Sequence, residues 1–215
     1  MSAVVRRFSK LKNKVLYLKD CKMEARIENI YLDGKLKEAG LVNEQDKSLG
    51  IFMHSLILSN STDVDKYEID EYKRKEEQLK NAVSKYTKSM GFDSRLIESI
   101  APKLEGLDIN HDNKFISSVH LINGKLRIVF RGSPELIIKN CSYMLMESKL
   151  VKFTRRIVRE TNDALKKMIS KGLNVYAIAV KDISTLPENY HQDYLESNLA
   201  LVALVGVNKR LRMNY

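Results

Sequence analysis

The sequence predicts an α/β layered domain whose sheet is at least partly antiparallel, with helices packed against it. Two alternating segments, 115–122 and 125–130, flank Asn123-Gly124, a dipeptide that readily takes the positive φ angles of a two-residue hairpin turn. The stretches 173–180 and 199–207 are apolar on both faces, as strands in the middle of a sheet are. Between them lie segments with apolar residues at helical spacing, bounded by capping residues and glycines.

In chain order, residues 1–10 are basic and carry little to fix them. Val15-Leu16-Tyr17-Leu18 reads as a short buried strand. Ala25, Ile27, Asn29 and Tyr31 alternate with Arg26, Glu28, Ile30 and Leu32, a second strand that ends at the Asp33-Gly34 turn. Asn43 is expected to cap a helix over 44–60, with Leu49, Phe52, Met53, Leu56 and Ile57 on one stripe and Gly50 as an interruption. The polar segment 59–75 reads as a long surface loop. Leu79, Ala82, Val83, Tyr86 and Met90 mark a helix closed by Gly91, and Asp93 or Ser94 caps a short one that stops before Pro102.

After the hairpin, Arg131-Gly132-Ser133-Pro134-Glu135 turns strand into helix. Ser133 can cap the free amides, Pro134 suits the first helical position, and Glu135 sits where the helix dipole favours negative charge. A strand ending in Arg-Gly beside a capped helix leaves a cation and an approachable backbone on one rim. That corner reads either as a plain strand–helix junction or as an anion or nucleotide site. Thr154 can cap a further helix with Ile157, Val158, Thr161, Leu165, Met168 and Ile169 inward, ended by Gly172.

Composition narrows the function classes. With 215 residues, 44% of them hydrophobic and three prolines, the chain can bury a substantial core. An excess of 37 Lys and Arg over 27 Asp and Glu, +10 in all, favours phosphate-bearing partners without specifying one. Cys21 and Cys141 have no Cys or His at metal-ligand spacing, which suits a reducing cytoplasm, and His54, His111, His120 and His191 are scattered. The longest apolar run, 199–207, is about half of a membrane-spanning helix, so a soluble chain is expected.

The order of these segments resembles the nucleotide-binding (N) domain of P-type cation-transporting ATPases, the ion pumps that pass through an aspartyl-phosphate. In that family a strand ends in Lys-Gly-Ala-Pro-Glu before an apolar helix and a cysteine; here the residues are Arg131 to Glu135, then Cys141. The family's Gly-Leu-Arg and following apolar strand are similar to Gly172-Leu173-Asn174 and 175–179. The segment 109–119, with Lys114 and Ile116-Ser117, looks like the family's Phe, Lys and Met-Ser stretch. Val5 to Ser9, Met23 to Lys35 and Leu204 to Val207 extend the likeness over nearly the whole chain.

The resemblance implies a twisted, largely antiparallel sheet flanked by helices. It divides the chain into 1–22, a remnant-like piece of the phosphorylation domain, 23–207, the nucleotide-binding-like domain, and a tail, 208–215. It implies ATP as ligand, Mg2+ only through the nucleotide, and the phosphorylation domain of the same or a partner pump as neighbour, at the cytoplasmic side of a membrane protein. Arg131 and Gly132 would face the nucleotide, Lys114 would add charge, and Ile109 and Ile116 would line an apolar slot.

The departures are specific. The family's Asp-Lys-Thr-Gly-Thr-Leu-Thr is missing where the chain reads Lys19-Asp20-Cys21-Lys22-Met23, so no catalytic residue and no turnover by this chain alone are expected. The acid of Thr-Glu-x-Ala-Leu falls at Lys80, the adenine-stacking Phe at Ile109, the pocket Lys at Arg131 and the Arg of Gly-Leu-Arg at Asn174. A second reading is therefore a degenerate domain kept for protein contacts. A basic nucleic-acid-binding module is a third, supported by charge alone; neither nucleic acid nor membrane insertion is expected.

Overall fold

The computed structural model describes residues 22–60, 70–104, 110–111, 115–184 and 195–212. Its organising strand is the one the sequence marks as apolar on both faces. In β9 (Leu199–Arg212) every residue from 199 to 207 is buried, which requires a layer on each side. One edge of β9 pairs antiparallel with β8 (Asn174–Ile183). The other edge is shared by β1 (Lys22–Leu32), antiparallel, and β6 (Cys141–Met146), parallel. The sheet continues from β8 through β5 (Lys125–Gly132) and β4 (Phe115–Ile122) to β3 (Asn110–His111), and from β1 to β2 (Lys35–Glu38). β7 (Lys149–Lys152) pairs with β6 and completes the nine strands. Apart from β6 with β9, the pairings among the described residues are antiparallel, as the sequence predicts.

Helices cover both faces. On one, α1 (Leu49–Leu58), α2 (Asp70–Ser89) and α3 (Ser94–Ile100) bury Phe52, Leu56, Leu79, Val83 and Ile97 against Val129, Ile178, Val202 and Val205. On the other, α4 (Pro134–Asn140) and α5 (Arg155–Ser170) bury Ile137, Leu165 and Met168 against Ile128, Phe130, Ala177 and Leu204. The period of two is plain in β5: Ile128 and Phe130 serve one core, Val129 the other. At Gly206 the α5 layer comes closest to the sheet, for a Cβ there would lie 2.7 Å from Met168 Cε and 2.9 Å from Leu173 Cδ1.

The hairpin at Asn123-Gly124 forms as expected, with φ of 51° and 74°, and so does the Asp33-Gly34 turn at 52° and 74°. Gly91 and Gly172 close α2 and α5 in the left-handed region. Asp93 caps α3 through Arg95 N, and Thr154 caps α5 through Ile157 N.

Several expectations are corrected. Asn43 caps no helix: its Oδ1 accepts from Gln45 N at 2.9 Å while Asp46 accepts from Asn43 N at 3.1 Å, a local turn that delays α1 to Leu49. The segment 59–75 is not all loop, because α2 begins at Asp70; its Glu, Lys and Arg residues are good helix formers, and polarity alone does not separate an exposed helix from a loop. Ser133 makes no capping bond, since its hydroxyl donates to Glu135 Oε2 at 2.6 Å. β9 runs past Val207 to Arg212, paired with β1. The strand expected at 15–18 lies outside the described residues.

The β6–β7 hairpin is absent from the sequence reading for a physical reason. Its turn places Glu147 and Ser148 at φ of 50° and 63°, where neither residue is at ease. Tertiary contacts hold it: Asp33 Oδ1 accepts from Glu147 N at 2.7 Å, and Ser148 N donates to Ser48 Oγ at 2.9 Å. Asp33 also accepts from Ser48 N and Ser48 Oγ, which ties both turns to the start of α1.

Candidate functional site

The alternation of β5 that buries Phe130 toward α4 and α5 turns Arg131 toward α1–α3. In register it stands between Ile116 of β4 and Ile178 of β8, so hydrocarbon flanks it on both sides. Arg131 is 2% exposed. Its Nη2 donates to Glu76 Oε2 on α2 at 2.6 Å, and that carboxylate's side chain is itself only 16% exposed. The other two guanidinium nitrogens, Nε and Nη1, are buried and have no hydrogen-bond partner among the described residues.

That is an unusual state for an arginine. A buried charge needs both an opposite charge and acceptors for its remaining donors, and buried donors are nearly always paired. Glu76 supplies the charge and one acceptor. Two donor nitrogens are left without an acceptor among the described residues. Gln78 Oε1 on α2 and Asn60 Oδ1 just after α1 are also buried without a partner among the described residues, while Asn60 Nδ2 donates to the Lys80 carbonyl at 3.3 Å. The face is anchored by β4, where Ser118 Oγ donates to the Leu58 carbonyl at 3.4 Å and His120 Nδ1 and Nε2 meet Ala101 O and Ser118 Oγ.

Arg127, at the other end of the same strand face, shows what a satisfied arginine looks like. Its Nε and Nη2 donate to the two oxygens of Asp182 at 2.6 and 2.7 Å, and that carboxylate holds the guanidinium pKa above its usual value. The cleft of about 390 Å³ beside it includes Tyr143, Leu150 and Lys181, whose Nζ donates to Ser197 O at 2.9 Å and whose pKa burial lowers. His54 on α1 is likewise held below its ordinary pKa, first by burial and then by Arg127. The cations of that cleft are engaged, and the donors in want of acceptors are at Arg131.

Of the residues named from the sequence, Arg131 and Ile116 come together in register on one face. Gly132 follows at the strand end, opposite Phe115 and Ala177 in the register. Ile109 and Lys114 lie outside the described residues. Asn174 is exposed at the start of β8, four residues before Ile178 and so ~13 Å along the strand from Arg131's neighbour. Glu76 is missing from the sequence reading. The signal is there: it stands one helical turn before Lys80, so the acid absent at Lys80 is present on the same stripe once α2 is extended upstream.

Among the described residues no three His, Cys, Asp or Glu side chains converge to hold a metal ion. No helix among them is long and apolar enough to cross a membrane. Cys141 is half-buried, its thiol pushed up to about 12 by desolvation, which makes it a poor nucleophile.

A family model described as "P-type ATPase, cytoplasmic domain N" matches residues 49–214. The chain is 25% identical over 111 residues to calcium-transporting ATPase 1 of Bacillus cereus, covering 52% of this chain and 12% of that protein. It is 32% identical over 125 residues to the endoplasmic reticulum calcium ATPase srcA of Aspergillus fumigatus, 51% of this chain and 12% of the relative. Against the cation-transporting ATPase pma1 of Synechocystis it is 26% identical over 120 residues, 54% and 13% respectively. The chain therefore spans only about an eighth of the length of the curated relatives it matches.

Proposed function

The chain belongs to the family of P-type ATPase cytoplasmic N domains, and from that membership we propose that it binds ATP at the Arg131 corner and presents it to an aspartate on another domain. One observation carries the reading: a guanidinium 2% exposed, at the strand end where the family has its Lys-Gly, with two buried donors lacking acceptors. Arg131 and Gly132 face the nucleotide, Ile116 lines the slot beside them, and Ile109 and Lys114 complete it from the neighbouring segment. Mg2+ enters with the triphosphate.

The division of labour follows from the residues. Segment 23–207 carries the site, β9 continues through the expected tail to Arg212, and the segment before β1 belongs to the neighbouring phosphorylation unit. The chain binds without turning over, since Asp20 lacks the Thr and Gly residues that organise phosphate and magnesium in the family. The pump it serves lies in a membrane with this domain on the cytoplasmic side, and its cargo is a cation, as the names of the relatives say of theirs.

Calorimetric titration of the folded chain with ATP tests the proposal. Saturation below a few millimolar, weakened at least ~10-fold by Arg131→Ala, is the expected result. No heat and no saturation up to ~10 mM ATP, with the fold intact, overturns it and leaves the degenerate domain kept for protein contacts.

A further inference from the structure

We propose that the outer edge of β7, with the basic turn that follows it, is a docking surface for an extended, acidic protein segment that joins the sheet as a further strand. The surface lies apart from Arg131 and does not depend on the nucleotide reading.

The backbone supplies the first half of the argument. β6 pairs with both β9 and β7, whereas among the described residues β7 pairs with β6 alone. Phe153 N donates to Ser142 O at 2.9 Å, which sets the alternation along the hairpin. Residues 149, 151 and 153 turn their backbone groups toward β6, and 150 and 152 turn theirs outward. The Lys152 carbonyl accepts from Thr154 N at 2.9 Å. An added strand would therefore meet the N–H and C=O of Leu150 and the N–H of Lys152.

Side chains decide what that strand is. Leu150 stands opposite Leu145 and Lys152 opposite Tyr143, so these side chains share the sheet face on which α1 lies. Leu150 is 62% and Tyr143 40% exposed, and both line the cleft of about 390 Å³ whose buried lining includes Leu145, Val180 and Ala200. An apolar side chain placed opposite Leu150 would cover that face. The charges are of one sign. Residues 149–159 carry Lys149, Lys152, Arg155, Arg156 and Arg159, each of them exposed, and no Asp or Glu. Arg156 is met by Glu160 at 3.0 Å, while Lys149 and Lys152 bracket Leu150 on the edge itself.

The same lysines exclude a second copy of the chain. Antiparallel pairing of two β7 strands would set Lys149 of one against Lys152 of the other, and like charges directly opposite repel. An acid at each of those positions turns the repulsion into attraction. The segment is thus an acid, two apolar residues and an acid, in register with 149–152. A nucleic acid would answer the charges but offers no backbone amide to the Leu150 carbonyl.

The test is a titration of the chain with a capped peptide carrying Glu-Val-Leu-Glu between Ser-Gly flanks, a core whose charges match in either strand direction. Backbone amide shifts of Leu150 and Lys152 are the readout. Saturation with a Kd below ~1 mM at low salt is expected, weakened at least ~10-fold in the double variant Lys149→Glu, Lys152→Glu. A peptide with Lys in place of both Glu should bind that variant and not the wild type. N-methylation of the peptide's Val and Leu amides, which keeps every charge, should abolish binding. Leu150→Pro removes an outward N–H where an edge strand tolerates proline, and serves if the reversed pair does not fold. No saturation up to ~5 mM, an N-methylated peptide that binds as well, or charge reversal without effect overturns the proposal. So does a single-stranded oligonucleotide that moves the same amides at lower concentration than the peptide.

Discussion

Glu76→Gln should cost the fold about 3–5 kcal/mol, because it removes the countercharge of a buried arginine and leaves the arginine behind. The structure sets the size of the effect. Arg131 is 2% exposed, and among the described residues its one acceptor is Glu76 Oε2 at 2.6 Å while its other two nitrogens are without partners. A neutral amide in place of the carboxylate can still accept one hydrogen bond but cannot compensate the charge. Arg131→Met removes the cation instead and keeps most of the hydrocarbon, and the Glu76 carboxylate, at 16% exposure, reaches water more easily. Its cost should be smaller, about 1–3 kcal/mol. The double variant should return to within about 1–2 kcal/mol of wild type, since it no longer buries either charge of the pair. Urea unfolding of the four proteins, followed by circular dichroism, closes the cycle. A coupling energy of at least ~2 kcal/mol is expected. Additive costs, or a Glu76→Gln effect below ~0.5 kcal/mol, would refute the reasoning by showing that the pair is well solvated.

Three further outcomes follow from the same geometry. Asp33→Ala removes the acceptor that joins the β1–β2 turn, the β6–β7 turn and the start of α1, and puts Ala at φ 52°; about 2–4 kcal/mol and a melting point lower by roughly 6–12 °C are expected by calorimetry. Thr154→Ala, which deletes a capping bond, should cost about 0.5–1 kcal/mol in chemical denaturation, whereas Ser133→Ala should be nearly silent because Ser133 caps nothing. In a Cys21→Ser background, native Cys141 should resist iodoacetamide at pH 8 and react on unfolding, since burial raises its thiol from 9.0 to about 12. The sign of the linkage is fixed by that direction: the folded chain holds the proton, so this stability is present below pH 9 and is lost as pH rises toward about 12, with Tyr86, also raised by burial and then by Asp46, adding to the loss above its ordinary value of 10.0.

Much of the sheet was legible because its signals are local. Asn123-Gly124 fixes a hairpin by φ preference, and the uninterrupted apolar runs of β8 and β9 can lie only in the middle of a covered sheet. The β6–β7 hairpin was not legible, because its turn depends on Asp33 and Ser48, residues about a hundred positions away in sequence. Asn43 misled for the opposite reason: its local signal was real, but Asp46 and Gln45 used it for a turn rather than a cap. At the candidate site, strand period and the Arg131-Gly132 ending pointed to the corner where Arg131 meets Glu76. Its electrostatics did not follow from that, since the acid beside Arg131 comes from a helix whose first turns look like polar loop. Sequence proximity named Gly132 with Arg131; only the register across β4 and β8 showed that Ile116 and Ile178 share Arg131's face.

The central claim is that Arg131, neutralised by Glu76, is the floor of a nucleotide site. A crystal structure of the chain soaked with a non-hydrolysable ATP analogue tests it most directly. The account predicts nucleotide atoms within hydrogen-bonding distance of the Arg131 guanidinium, beside Ile116. An analogue bound elsewhere, while Arg131 is unchanged, would contradict it.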